Sequence, residues 1–208
     1  TYGELFENIE KAAKGFMSIG IKPGDIVPII CIATPEIIFS FYALNRIGAV
    51  SNWLDLRMPT EKLLNEIKTC NSPICLLFEK ADPLLCSKIS LLGIKCIYIS
   101  ISDSLPFSKK LFYKTKKINT LENMIISWNE FLENANTSII ACDEQGKNSL
   151  AILEHTGGTT GTSKAVMLTN QNVNSVVEQY RMGSTPLSRQ DRWLSVGFPF
   201  IAYSLICS

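Results

Sequence analysis

The sequence predicts an α/β fold, with strands and helices that alternate along the chain around a largely parallel sheet. Three observations carry this. Short apolar, β-branched runs recur at residues 26–32, 73–78 and 95–99. Between them lie segments whose apolar residues fall at helical spacing. The two kinds of segment take turns instead of clustering, which favours crossover connections and parallel pairing.

Leu5, Ile9, Ala12, Phe16 and Ile19 share one face of a first helix, and Gly20 suits its C-terminal end. Lys22, Pro23, Gly24 and Asp25 form a turn into the strand at 26–32. Thr34, Pro35 and Glu36 read as a helix start: a hydroxyl cap, a proline in the first turn and an acid near the positive end. The helix that follows, to about Ile47, is apolar nearly all round and is expected to be buried. Gly48 to Trp53 leads into a second strand, completing a βαβ unit. Thr60 and Glu61 open a helix carrying Leu63, Leu64 and Ile67. Strands follow at 73–78 and 95–99. Residues 103–123 read as a polar loop with a short helix, and 127–132 as a helical turn. Residues 150–154 form a strand, and Thr169 caps a helix with Val173, Val176, Val177 and Tyr180 on one face.

The chain has 208 residues and a net charge of +1. That length suits one domain or a large part of one, and the charge gives no support for a nucleic-acid partner. Lys109, Lys110, Lys114, Lys116 and Lys117 crowd around Leu111, Phe112 and Tyr113. A membrane-surface patch and a solvated face both fit, and the short, isolated cluster favours the solvated face. The seven cysteines, Cys31, Cys70, Cys75, Cys86, Cys96, Cys142 and Cys207, form no C-x-x-C pair, and His155 is the only histidine. A zinc site is not indicated. Several cysteines sit in apolar runs, as small hydrophobes do in a reducing compartment, so a cytoplasmic location is expected. Residues 193–208 carry no charge but are short and broken by Gly197 and Pro199, so they do not read as a membrane span. Their apolar run to the last residue is expected of a chain cut in mid-domain.

The densest chemistry lies in one run: Thr156, Gly157, Gly158, Thr159, Thr160, Gly161, Thr162, Ser163 and Lys164. The glycines allow close backbone approach to a ligand. The hydroxyls and the lysine add donors and charge. A strand, then this loop, then the lysine, then a helix would suit a polyphosphate. The Walker spacing fails, because two residues separate Gly161 from Lys164; the dinucleotide spacing fails, because Gly157 and Gly158 are adjacent.

This run resembles the phosphate loop of the adenylate-forming, AMP-dependent synthetase/ligase superfamily. Ser163 stands where that loop usually has proline and Ala165 where it has glycine. The resemblance continues in residues 1–27, in Pro35 and Glu36 with Tyr42 to Val50, and in Leu168 to Asn172, so it spans nearly the whole chain. It implies that residues 1–208 are a partial AMP-binding domain, truncated at the C-terminus, from the N-terminal part of the family's large domain. It further implies an ATP-dependent carboxylic acid–CoA ligase, which forms an acyl-adenylate and pyrophosphate and then a thioester. Thr156, Gly157, Gly158, Thr159, Thr160, Gly161, Thr162, Ser163 and Lys164 would bind the triphosphate, with Lys164 giving catalytic electrostatic help. ATP, Mg2+ and coenzyme A are the implied cofactors and co-substrates, and a small carboxylate the implied substrate. Two alternatives stay open: the adenylation domain of a peptide synthetase, which loads a carrier protein, and a non-catalytic remnant. The family's later motifs, including a magnesium-binding acid and a ribose-binding aspartate, would lie beyond Ser208, so this chain alone is expected not to catalyse adenylation. Phe198, Pro199 and Phe200 resemble the block leading to the acyl pocket, but Ala202 and Tyr203 leave the acid unreadable. His155 is expected to pack and hydrogen-bond locally and not to act as an acid or base.

Overall fold

The computed structural model describes residues 1–110, 113, 124–135, 146–156, 164–183, 188, 197, 199 and 201. Seven strands form one sheet in the order β5-β4-β3-β1-β2-β6-β7. They are β1 (Ile26–Ile30), β2 (Val50–Trp53), β3 (Ile74–Phe78), β4 (Lys95–Ile99), β5 (Ile125–Ser127), β6 (Leu150–Thr156) and β7 (Lys164–Thr169). Every pairing from β5 to β6 is parallel, and only β6 with β7 is antiparallel. The predicted α/β class is therefore the observed one.

Both faces of the inner strands are covered, as a parallel sheet requires. On one face α1 (Tyr2–Ser18), α2 (Pro35–Arg46) and α6 (Trp128–Glu133) enclose a core that includes Phe16, Ile29, Leu44, Trp53, Leu76 and Phe131. On the other, α3 (Thr60–Cys70) and α4 (Pro83–Leu91) enclose Ile30, Leu63, Ile67, Cys75, Leu77, Ile89 and Cys96. The alternation of Ile29 and Ile30 between the two cores is the period-two geometry of a strand. Glycine makes one close helix contact possible. A Cβ on Gly15 of α1 would stand 2.6 Å from the Phe131 ring.

The sequence prediction misses α4 and β5, and α2 departs from its predicted cap. Thr34 occupies the N-cap position, but its hydroxyl makes no capping bond and is buried without a hydrogen-bond partner among the described residues. The Glu36 carboxylate at the same helix start is buried and accepts from Ser104 Oγ. Residues 101–110 hold a 3₁₀ turn (Ile101–Ser104) and α5 (Phe107–Lys110), which gives the predicted loop its helical content. Among the described residues no helix is long and apolar enough to cross a membrane, and no cluster of three metal-ligating side chains occurs. The five described cysteines are free, and all except half-buried Cys70 are buried. Cys142, Cys207, Lys114, Lys116, Lys117 and most of the apolar run at 193–208 lie outside the described residues.

Candidate functional site

The site is built on the β6–β7 hairpin. β6 is the last parallel strand, and its carboxyl end at Thr156 points the same way as the carboxyl ends of β1 to β5. Ligands in open α/β sheets bind at that end. β7 returns antiparallel, with Thr156 opposite Lys164, His155 opposite Ala165, Glu154 opposite Val166 and Ile152 opposite Leu168. Of the predicted site residues, the structure brings Thr156 and Lys164 together as a directly opposed pair. The Thr156 hydroxyl donates to the Lys164 carbonyl at 3.4 Å. The Lys164 side chain is exposed and forms no ion pair among the described residues. Gly157, Gly158, Thr159, Thr160, Gly161, Thr162 and Ser163 lie outside the described residues.

The sequence places a helix after the loop with Thr169 as its cap, and α7 (Asn170–Met182) starts there. What the sequence does not assign is the strand between, since Lys164 begins β7. Thr169 pairs with Leu150, at the opposite end of β6 from Thr156. A strand of six residues spans about 20 Å, so the α7 dipole does not serve the loop. The positive charge on offer is therefore the Lys164 ammonium.

The two residues before Thr156 point to opposite faces of the sheet, Glu154 buried and His155 half-buried, in ways the sequence alone does not show. His155 faces α3. Its Nε2 lies 2.8 Å from Asn52 Oδ1. The Asn52 amide is oriented by its other end, where Nδ2 donates to Cys70 Sγ at 3.1 Å, while the Cys70 thiol donates to the Glu66 carbonyl at 3.3 Å. With Oδ1 thus left to accept, the His155 ring carries its proton on Nε2, and Nδ1 is a buried acceptor without a partner among the described residues. Burial lowers the imidazole below its ordinary value, against a smaller opposing pull from Glu66 and with a lesser push from Lys62. A neutral, locally bonded histidine is the role expected from the sequence.

Glu154 faces α2 instead. It stands in register with Trp53 of β2, which packs on Phe41. Only 4% of the residue is exposed, and its Oε1 has no hydrogen-bond partner among the described residues. Burial alone pushes its carboxyl up to about 8, because a charge removed from water without compensation is disfavoured. The sequence analysis does not single out Glu154. Its signal was an acid interrupting the apolar run Ala151, Ile152 and Leu153 just ahead of the loop.

Comparison with known proteins gives consistent results. The family described as AMP-binding enzyme matches residues 1–208. 4-Coumarate–CoA ligase 3 of Arabidopsis thaliana is 25% identical over 208 residues, covering 99% of this chain and 34% of the plant protein. A linear gramicidin synthase of Brevibacillus parabrevis is 24% identical over 212 residues, covering 100% of this chain and 2% of the synthase. Among solved structures, the O-succinylbenzoate coenzyme A synthetase of Bacillus subtilis in complex with AMP superposes with a TM-score of 0.71 at 19% identity, covering 100% of this chain and 45% of the other. The anthranilate CoA ligase AuaEII, in complex with anthranoyl-AMP, superposes with a TM-score of 0.79 at 14% identity, covering 99% of this chain and 36% of the other. The chain thus spans about a third of the plant ligase and under half of either structural neighbour.

Proposed function

Because this chain belongs to the AMP-binding enzyme family, we propose that it is the N-terminal part of an ATP-dependent carboxylic acid–CoA ligase. The observation that carries this reading is the exposed Lys164 side chain, set directly across from Thr156 at the carboxyl edge of the sheet. In the proposed reaction a carboxylate attacks the α-phosphorus of ATP, pyrophosphate leaves, and the acyl-adenylate passes its acyl group to the thiol of coenzyme A. The step needs positioning and charge neutralisation more than a protein nucleophile. Thr156, Gly157, Gly158, Thr159, Thr160, Gly161, Thr162 and Ser163 would hold the β- and γ-phosphates through N–H groups and hydroxyls. Lys164 would place its ammonium against them. Mg2+ would enter with the triphosphate, since that ion commonly keeps substrate phosphates and waters as most of its ligands. The reducing environment suited to five unpaired thiols supports a cytoplasmic setting.

The similarity to a linear gramicidin synthase favours one second reading, an adenylation domain that loads a carrier protein. A carrier domain following in the parent protein would select it.

The test is Lys164→Ala in the parent protein, read by carboxylate-dependent ATP–pyrophosphate exchange. Loss of one preorganised cation from a phosphoryl site should slow exchange by at least about tenfold. The fold should hold, because the lysine side chain is exposed. Unchanged exchange would remove Lys164 from the site. The 208-residue chain alone should give no exchange.

A further inference from the structure

A recess of about 440 Å³ lies at the amino ends of β3 and β4, at the other end of the sheet from Thr156. That volume falls in the range of small-molecule sites. Two connections wall it. Lys68, Asn71, Ser72 and Pro73 come from the end of α3 and the turn into β3, and Leu92, Gly93 and Ile94 from the turn between α4 and β4. Both walls are fixed. Asn71 and Gly93 adopt left-handed conformations, with φ of 49° and 75°, and the Lys95 amide donates to the Pro73 carbonyl at 2.9 Å, which ties one wall to the other. The lining has two chemistries. Lys68 brings an ammonium, Asn71 an amide and Ser72 a hydroxyl. Ser72 Oγ accepts from the Ile74 amide at 3.4 Å, so its own hydrogen is left to donate. Pro73, Leu92 and Ile94 bring apolar surface.

The electrostatics decide which ligand suits it. Helix C-termini carry partial negative charge, which opposes an anion. At this recess the carbonyls of Lys68, Ile89 and Ser90 are occupied: Lys68 accepts from Asn71, Ile89 from Leu92 and Ile94, and Ser90 from Gly93. The Lys68 ammonium, in the last turn of α3, adds a full positive charge. Glu61, an acid within its electrostatic reach, is already paired with Lys88. We propose that the recess is a ligand site for a small organic carboxylate with a short apolar body. The carboxylate meets Lys68, Asn71 and Ser72, and the apolar part lies against Pro73, Leu92 and Ile94. A neutral analogue forgoes the charge on Lys68, and a cationic one is repelled by it. The site is separate from the hairpin that carries Lys164, and the inference does not depend on the phosphate-loop reading. Lys68 and Leu92 are both exposed, so the contacts stay partly hydrated and the affinity is of millimolar order.

Amide NMR titrations of the 208-residue chain with benzoate, benzyl alcohol and benzylamine decide this, because the three probes share a ring and differ in charge. Benzoate should give saturable shifts at Lys68, Asn71, Ser72, Leu92, Gly93 and Ile94. Benzyl alcohol and benzylamine should bind there at least about fivefold more weakly, the scale of one partly exposed charged contact. Lys68→Ala should weaken benzoate by about the same fivefold and leave benzyl alcohol unchanged. Leu92→Ala should weaken both, by about twofold or more, through the lost apolar contact. Both substituted side chains are exposed, so the fold should hold. Saturable benzoate shifts confined to other parts of the chain, or none at all, overturn the proposal. So does equal affinity for benzoate and benzyl alcohol at the recess, or a Lys68→Ala chain that binds benzoate as the wild type does. If Leu92→Ala leaves both affinities unchanged, the apolar wall takes no part and the assignment of the ligand's apolar body falls with it.

Discussion

The inner strands and the β6–β7–α7 edge of this molecule obey different rules. In β1 and β3, Val27, Ile29, Ile30, Leu76 and Leu77 are fully buried, with helices on both faces. At the edge, β7 exposes Val166 and Met167, and α7 has no buried residue at all. The inner region buries apolar groups. The edge leaves apolar groups outside and buries an acid, Glu154, whose Oε1 has no hydrogen-bond partner among the described residues. Stability is concentrated in the first region and the candidate chemistry in the second. That division is expected where a rigid scaffold positions a working loop.

The largest effect should come from truncating the inner region. Ile29→Ala removes a side chain with no exposed surface in the middle of the sheet. It should cost about 4 kcal/mol, because the cavity adds to the lost transfer energy. Met167→Ala at the edge, where the residue is 70% exposed, should cost under about 0.5 kcal/mol. Urea unfolding of both variants checks the contrast, and equal losses would show that β7 belongs to the core.

Next in size is the pH dependence of stability that Glu154 imposes. Its carboxyl is raised from 4.5 to about 8 in the folded chain, so the unfolded state releases the proton first. The stabilisation is complete below pH 4.5 and is lost as pH rises to about 8, at a slope of up to about 1.4 kcal/mol per pH unit. His155 works in the opposite sense. Its value is lowered by burial, so its contribution is present above the ordinary histidine value and is lost as pH falls. Both residues are therefore best accommodated uncharged. Thermal unfolding of the wild type and Glu154→Gln between pH 5 and 8 should give curves that diverge, the variant losing the less. Parallel curves would mean that Glu154 finds a partner when ionised.

The same division explains what could be read from the sequence. β1 and β3 were legible because a strand buried on both faces is a continuous apolar run. α3 was legible from Leu63, Leu64 and Ile67 at helical spacing. α4 was not, because it is apolar on both sides, with Leu85 and Ile89 buried and Leu84 and Leu91 exposed; no stripe marks it, and only Asp82 and Pro83 announce its start. β7 was hidden because Val166 and Met167 are both exposed, so no burial alternation appears. At the site, Thr156 and Lys164 were legible as part of a motif. The contact between His155 and Asn52 joins residues 103 positions apart, and only the folded sheet creates it. The burial of Glu154 likewise depends on Trp53, a neighbour from a distant strand.

The smallest effect tests whether the edge is a cooperative part of the fold. Thr169 caps α7: its Oγ accepts from the Asn172 amide at 3.3 Å, and the Asn172 Oδ1 accepts from the Thr169 amide at 2.9 Å. Thr169→Ala should cost about 1 kcal/mol. In a helix without buried residues that loss has no core to absorb it, so it should appear as local opening. Amide exchange in α7 should speed up by about fivefold, the equivalent of 1 kcal/mol, while the amides of β1 and β3 keep their protection. If the inner amides speed up in step with α7, the helix opens only with the whole molecule. The edge would then be a structural extension of the core, and the hairpin that carries Lys164 would be as rigid as the strands behind it.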